Sequence, residues 1–180
     1  MIRDNSQSKP TAPLIGTDSF NCPSGGKSFF YKTLDGVNLR IAIWNEISSK
    51  GTILLQSGRT EFIEKYYEVI QEFVNRGFCV ALMDWRGQGL SDRVAKDIRI
   101  GHVDNFSDYD SDFEEVIRKI YQDSCPKPWI AVGHSMGGCL VASSAAKNTD
   151  LFDAIILCAP MLTLQMPNLI KKLIYKKNCH

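Results

Sequence analysis

The sequence predicts an α/β fold, a mainly parallel sheet with an opening antiparallel hairpin and helices on both faces, and three observations carry that reading. Two extended runs, Ser28 to Leu34 and Val37 to Trp44, flank Asp35-Gly36, a dipeptide suited to a hairpin turn. Beyond residue 50, short apolar runs alternate with longer segments whose apolar residues recur at helical spacing. Parallel neighbours need crossover connections, so this alternation implies parallel strands with helices packed against them.

Each element has a local reason. Thr52 to Leu55 is a continuous apolar run of the kind buried on both faces of a sheet. Glu61 to Arg76 carries Phe62, Tyr66, Val69, Ile70, Phe73 and Val74 on one helical stripe, with Gly77 placed to end it. Phe78 to Met83 is the next strand, and Asn105 to Tyr121 a second helix with Phe106, Tyr109, Phe113, Val116, Ile117 and Ile120 on one side. Pro128 to Val132 is a strand, Ser135 to Lys147 a helix and Ala154 to Leu157 a further strand. Residues 1–26, rich in Ser, Pro, Gly and Thr, are expected to form a loose leader, residues 27–160 the core.

Composition narrows the function classes. A chain of 180 residues that is 44% hydrophobic and 23% charged suits one soluble domain with a sizeable core. Its formal net charge of +1, with no arm or helix concentrating Lys and Arg, argues against a nucleic-acid partner. The N-terminus lacks the apolar core of a signal peptide, and no run of about 18 apolar residues occurs, so a cytoplasmic location is expected. Six cysteines without a Cys-x-x-Cys pair are expected to be reduced, packed thiols. No metal or cofactor is expected: Asp108, Asp110 and Asp112 mimic the opening of a calcium loop, but Phe113 stands where its glycine belongs and Lys119 where its glutamate belongs. Those aspartates are expected to favour a helix N-terminus and its solvated face.

The chemistry concentrates at Gly133-His134-Ser135-Met136-Gly137-Gly138, between an apolar strand and a small-residue helix. A serine on such a strand-turn-helix corner is forced into a strained backbone conformation, and glycines two positions either side give it room. Its Oγ then stands above the sheet, an arrangement that points to acyl transfer.

Four segments in order, Thr52 to Tyr66, Asp84-Trp85-Arg86-Gly87-Gln88-Gly89-Leu90-Ser91, the serine corner and Ala159-Pro160-Met161, resemble the successive signatures of α/β-hydrolases, specifically the lysophospholipase and monoacylglycerol lipase branch. The resemblance implies a serine carboxylester hydrolase whose substrate is a small ester or monoacyl lipid. It assigns Ser135 as nucleophile and the backbone amides of Arg59 and Met136 as the oxyanion hole. Gly133, His134, Gly137, Asp84 and Arg86 support the corner, Arg86 as a structural residue in a tight turn. Relatives usually have His-Gly where this chain has Ser57-Gly58.

A triad also needs a histidine and an orienting acid, which follow the serine in this architecture. His102 precedes Ser135, His134 adjoins it, and His180 is the last residue; Asp150 and Asp153 precede a strand and so fall at the far end of the sheet. The acid and base stay unassigned, and the chain is expected to be a C-terminally truncated hydrolase core in which residues 161–180 begin a cap. One further expectation is self-association through an uncovered sheet edge; the lysine-bearing segment Leu162 to Tyr175 is expected to be a solvated, partly frayed end, with a membrane-surface helix as the alternative reading. The competing reading is a non-catalytic remnant or binding module that keeps the hydrolase fold.

Overall fold

The computed structural model describes residues 9–18 and 20–163. Six strands form one sheet: β1 Lys27–Lys32, β2 Asn38–Trp44, β3 Thr52–Gln56, β4 Cys79–Met83, β5 Trp129–His134 and β6 Ala154–Cys158. Their spatial order is β1-β2-β4-β3-β5-β6. β1 pairs antiparallel with β2 and β2 antiparallel with β4, whereas the β3–β4, β3–β5 and β5–β6 ladders are parallel. The helices are α1 Tyr67–Asn75, α2 Ser107–Val116, α3 Gln122–Ser124 and α4 Met136–Lys147.

Strand alternation divides the core between the two faces of the sheet. Leu39, Ile41, Ile43, Leu54, Ala81, Met83 and Ala131 pack with Tyr109, Phe113 and Val116 of α2 and Leu140 and Val141 of α4. Ala42, Trp44, Ile53, Leu55, Val80, Leu82 and Val132 pack on the other face with Tyr67 and Ile70 of α1. Each buried Leu, Ile, Val or Phe contributes about 1.5 to 3 kcal/mol, so the two layers hold the strand ends where the site is built.

Tertiary packing altered several elements. The Glu61 to Arg76 segment begins as a 3₁₀ turn, Ile63–Tyr66, before α1. The tighter turn shifts the helical phase, so Ile63 and Tyr67 go inside while Phe62 and Val69 stay exposed. The end is as expected: Gly77, at φ 87°, donates to Val74 O at 2.8 Å, and Phe78 N–H to Phe73 O at 3.1 Å. The second helix is not uniform either; α2 passes through a π-helical turn, Ile117–Tyr121, into α3, and Phe106 is exposed ahead of it. The hairpin strands stop short of Asp35-Gly36, leaving Thr33 to Val37 as the loop, closed by Thr33 N–H to Val37 O at 2.9 Å.

The leader departs most from its expectation. Ala12 N–H donates to Ser28 O at 3.0 Å and Phe30 N–H to Pro10 O at 2.8 Å, while Pro23 O accepts the Trp44 indole N–H at 3.0 Å. The edge of β1 offers unpaired backbone groups, and this segment satisfies them. Asp112 is likewise buried rather than solvated, because it shares the helical face of Tyr109, Phe113 and Val116. Of the five described cysteines, all free thiols, Cys79 and Cys125 are buried but Cys158 is exposed on β6. The expected cap segment lies outside the described residues beyond Thr163.

The polar centre of the fold is Arg40, fully buried on β2. Its Nε donates to Asp84 Oδ2 at 2.7 Å, its terminal nitrogens reach both Glu64 oxygens at 2.5 and 2.7 Å, and one also reaches Pro13 O at 3.0 Å. Burial pushes the Asp84 carboxyl upward and the Arg40 charge opposes that shift. Replacing Arg40 with Met is therefore expected to cost about 3 to 5 kcal/mol in denaturant titrations near neutral pH, by stranding Asp84. With its pKa raised further in the variant, Asp84 is stable at acid pH and loses that stability as pH rises, so the deficit should shrink toward pH ~4. β6 supplies a second test. Among the described residues it is the sheet edge, with Ile155 and Ile156 43% and 50% exposed. The chain is expected to self-associate with concentration in size-exclusion chromatography, and Ile156→Lys to reduce that association.

Candidate active site

β5 ends at His134 and α4 begins at Met136, leaving Ser135 alone on the corner with φ 51° and ψ −113°. A positive φ in a non-glycine residue is costly, and the surroundings enforce it. Ser135 N–H donates to Cys158 O at 3.0 Å, and Ser135 O accepts from Met161 N–H at 2.9 Å and Cys139 N–H at 3.2 Å. The last residues of β6 thus pin the corner from the side. Its glycines are fixed by space: a Cβ on Gly133 would stand 2.6 Å from Gly138 Cα, and one on Gly137 2.3 Å from Gln56 O.

That last contact brings the corner against the end of β3, where Ser57 to Thr60 form the loop assigned to the oxyanion hole. Ser57 O accepts the Trp85 indole N–H at 3.0 Å, Gln88 Oε1 accepts Thr60 N–H, and the Arg59 side chain reaches Gly101 O at 3.1 Å. Arg59 N–H meets no acceptor among the described residues. Met136 N–H opens α4, where the first four amides have no partner within the helix. The structure therefore brings Ser135, Met136 and the Arg59 loop to the same end of neighbouring parallel strands, the end at which open α/β sheets bind ligands.

Two support residues anchor the turn after β4. Asp84 accepts Ile63 N–H at 2.9 Å on one oxygen and Leu90 N–H at 2.8 Å on the other. At Gly89, φ 52°, a Cβ would fall 2.0 Å from the Asp84 carboxylate, so the turn requires glycine. Arg86 bonds Asp112 through two nitrogens, at 2.7 and 2.5 Å, and lies 2.9 Å from Asp35. Those contacts commit its guanidinium to the protein and join the hairpin loop to α2.

Of the described histidines, His134 adjoins Ser135 in sequence and faces Glu61. His102 Nε2 pairs with Asp104 Oδ1 at 3.0 Å on the surface, and His180 lies outside the described residues. No described side chain hydrogen-bonds Ser135 Oγ. Asp153 caps the start of β5, accepting Trp129 N–H at 2.7 Å, and so sits with Asp150 at the opposite end of the sheet. Among the described residues no group of three His, Cys, Asp or Glu is disposed to hold a metal, and no helix is long and apolar enough to cross a membrane.

Sequence reasoning missed Glu61. Its side chain is 10% exposed. One oxygen accepts Gly58 N–H at 2.6 Å and Tyr66 O–H and lies 3.2 Å from His134 Nδ1; the other accepts Lys65 Nζ at 2.8 Å. A glutamate just ahead of a helix resembles ordinary N-terminal charge, and only its spacing of three from Gly58 hinted at a capping contact. Burial would raise its pKa, but the hydrogen bonds from Lys65, Tyr66, Gly58 and His134 outweigh that and lower it to about 2.

A mixed sheet with a serine on the strand-to-helix corner after β5 defines an α/β-hydrolase. Residues 47–178 match the model of the serine aminopeptidase, S33 family, and the chain belongs to that family, in its lysophospholipase and monoacylglycerol lipase-like branch. It is 31% identical over 144 residues to lysophospholipase L2 of Escherichia coli, covering 77% of this chain and 42% of that one. Against the monoacylglycerol lipase of Mycolicibacterium smegmatis it is 30% identical over 128 residues, 69% of this chain and 43% of the other. The chain thus spans less than half the length of these curated relatives. A thermostable carboxyl esterase from Bacillus coagulans superposes with a TM-score of 0.66 at 22% identity, covering 86% of this chain and 52% of the esterase, a likeness of fold.

The Glu61 contacts carry a pH signature. A carboxyl held at about 2, against an ordinary 4.5, contributes stability that is complete above the ordinary value and is lost as pH falls through the lower one. The wild-type melting temperature is expected to exceed that of Glu61→Gln above pH ~5, and the gap to close by pH ~2.

Proposed function

We propose that this chain carries the nucleophile and oxyanion hole of a serine hydrolase that cleaves carboxylic esters of monoacyl lipids. Ser135 Oγ attacks the ester carbonyl and gives its proton to a histidine base that is left unassigned. The Arg59 and Met136 amides stabilise the resulting oxyanion, each by roughly 3 kcal/mol. Collapse of the tetrahedral intermediate breaks the ester C–O bond, the leaving alkoxide takes the proton, and the acyl group stays on Ser135. Water then attacks the acyl-enzyme by the same route and releases the fatty acid.

The observation that carries this reading is the backbone at Ser135, at φ 51° on a corner whose neighbouring glycines leave no space for a Cβ. Such strain is retained where it serves a reacting side chain. The substrate class rests on the names of the relatives, a lysophospholipase and a monoacylglycerol lipase. Domain limits follow the same logic: we place the catalytic core at residues 27–160, with residues 1–26 as an N-terminal segment and 161–180 leading into a cap.

A nitrophenyl ester assay tests it. Any turnover of the ester by the chain is expected to vanish in Ser135→Ala. Fusion to the C-terminal half of a full-length relative is expected to raise Ser135-dependent hydrolysis of monoacylglycerol or lysophospholipid by at least 10³-fold, within the loss that removing a triad histidine causes. A fusion that folds yet stays inactive would favour the non-catalytic reading.

A further inference from the structure

We infer that Glu61 is a positioning residue that sets the oxyanion-hole amide against the nucleophile; the inference rests on the roles proposed above for Ser135, Arg59 and Met136. The same carboxylate oxygen binds Gly58 N–H at 2.6 Å and faces His134 Nδ1 at 3.2 Å. Gly58 immediately precedes Arg59, and His134 immediately precedes Ser135. One oxygen is therefore anchored a single residue upstream of each half of the site, across a loop and a strand that are 73 residues apart in the case of the His134 contact.

The approach is close enough to exclude slack. A Cβ on Gly58 would stand 2.8 Å from Glu61 Oε2 and 3.2 Å from His134 Nδ1, so loop, carboxylate and imidazole meet with no side chain between them. Tyr66 donates its hydroxyl to the same oxygen, and Lys65 holds the other oxygen at 2.8 Å. The side chain can therefore neither rotate nor withdraw without breaking several charge-assisted bonds. For the His134 contact to be attractive, Nδ1 must carry a proton, which assigns the tautomer of a neutral ring.

The consequence follows from how such amides act. An oxyanion donor works at about 2.7 to 3.1 Å from the developing charge, and displacements of about 0.5 Å are enough to weaken it. Gly58 N–H is consumed by Glu61, and the Gly58–Arg59 peptide that follows carries the free amide. Fixing one peptide plane restricts the next, because only the two dihedrals at Gly58 separate them. Glycine is the most permissive residue for those dihedrals, so the loop depends on the clamp for its shape.

The test uses the fusion described above, in which Ser135-dependent hydrolysis is expected to return, and a fluorophosphonate probe, whose modification of Ser135 generates a tetrahedral centre with an oxygen in the hole. Glu61→Gln keeps the size of the side chain but removes the charge that gathers these donors. It is expected to speed amide exchange at Gly58 at least tenfold in NMR. It should also lower the maximal phosphonylation rate at Ser135 at least tenfold, leaving the half-saturating probe concentration within twofold. Tyr66→Phe, which removes one donor and keeps the carboxylate, is expected to lose less than fivefold and stands in if Glu61→Gln fails to fold. An unchanged maximal rate in a folded Glu61→Gln, alongside Ser135-dependent labelling of the wild type, overturns the positioning role alone. If Glu61→Gln does not fold, a Tyr66→Phe that neither speeds Gly58 exchange nor slows labelling overturns it. A wild type whose labelling is unaffected by Ser135→Ala overturns the hydrolase reading, and the positioning role with it.

Discussion

The architecture around the site depends on one carboxylate fully buried in the core. Asp84, at the end of β4, is fully buried and answers to Arg40 from β2, Ile63 N–H from the start of the 3₁₀ turn and Leu90 N–H from the loop beyond β4. Desolvating a charge is expensive unless its partners are complete, so each of these segments is constrained to arrive in the right place. Arg40 extends the constraint to Glu64 and to Pro13 of the N-terminal segment. The opening hairpin, the first helix and the turn after β4 are thereby fastened to one point beside the loop that approaches Ser135.

Carboxylates recur as organisers on a smaller scale. Asp112 gathers Arg86 and, through it, the hairpin loop at Asp35. Glu115 receives Tyr31 O–H at 2.7 Å and Leu34 N–H at 3.1 Å, bringing α2 to the same hairpin. Glu61 performs the corresponding service between the loop after β3 and the end of β5. Glu115 and Glu61 each accept a loop amide just beyond a strand end, Leu34 N–H and Gly58 N–H, that the sheet itself leaves unpaired. Backbone packing completes the site: a Cβ on Gly137 would stand 2.3 Å from Gln56 O, which no side chain tolerates, and one on Gly138 would be tight against Pro160 at 3.0 Å.

The division of labour between the two cores also bears on chemistry. Trp85 stacks edge-on with Tyr109 and Phe113 in the layer shared with α2, and its indole N–H holds Ser57 O. The loop before Arg59 is thus tied to the hydrophobic layer, and its position follows from core packing. By contrast β6, which pins Ser135 through Cys158 O, has both faces largely exposed among the described residues. The corner is supported firmly from β3 and more thinly from β6.

The sequence alone determined the strand and helix order, the hairpin at Asp35-Gly36, the serine corner and the branch of hydrolases, because these rest on local periodicity, turn chemistry and short motifs. It did not determine which charges lie inside. Asp112 resembled a solvated helix residue and Glu61 merely the start of a helix, since the sequence shows an acidic side chain but not the Arg86 or His134 that meets it from far along the chain. Helix phase at Ile63 and Tyr67, the pairing of Pro10 to Ala12 with β1 and the exposure of Cys158 were likewise settled by tertiary structure. The reason is common to all of them. Burial and partner choice are set by contacts between segments distant in sequence, and the energy of such contacts overrides local propensity wherever the two differ.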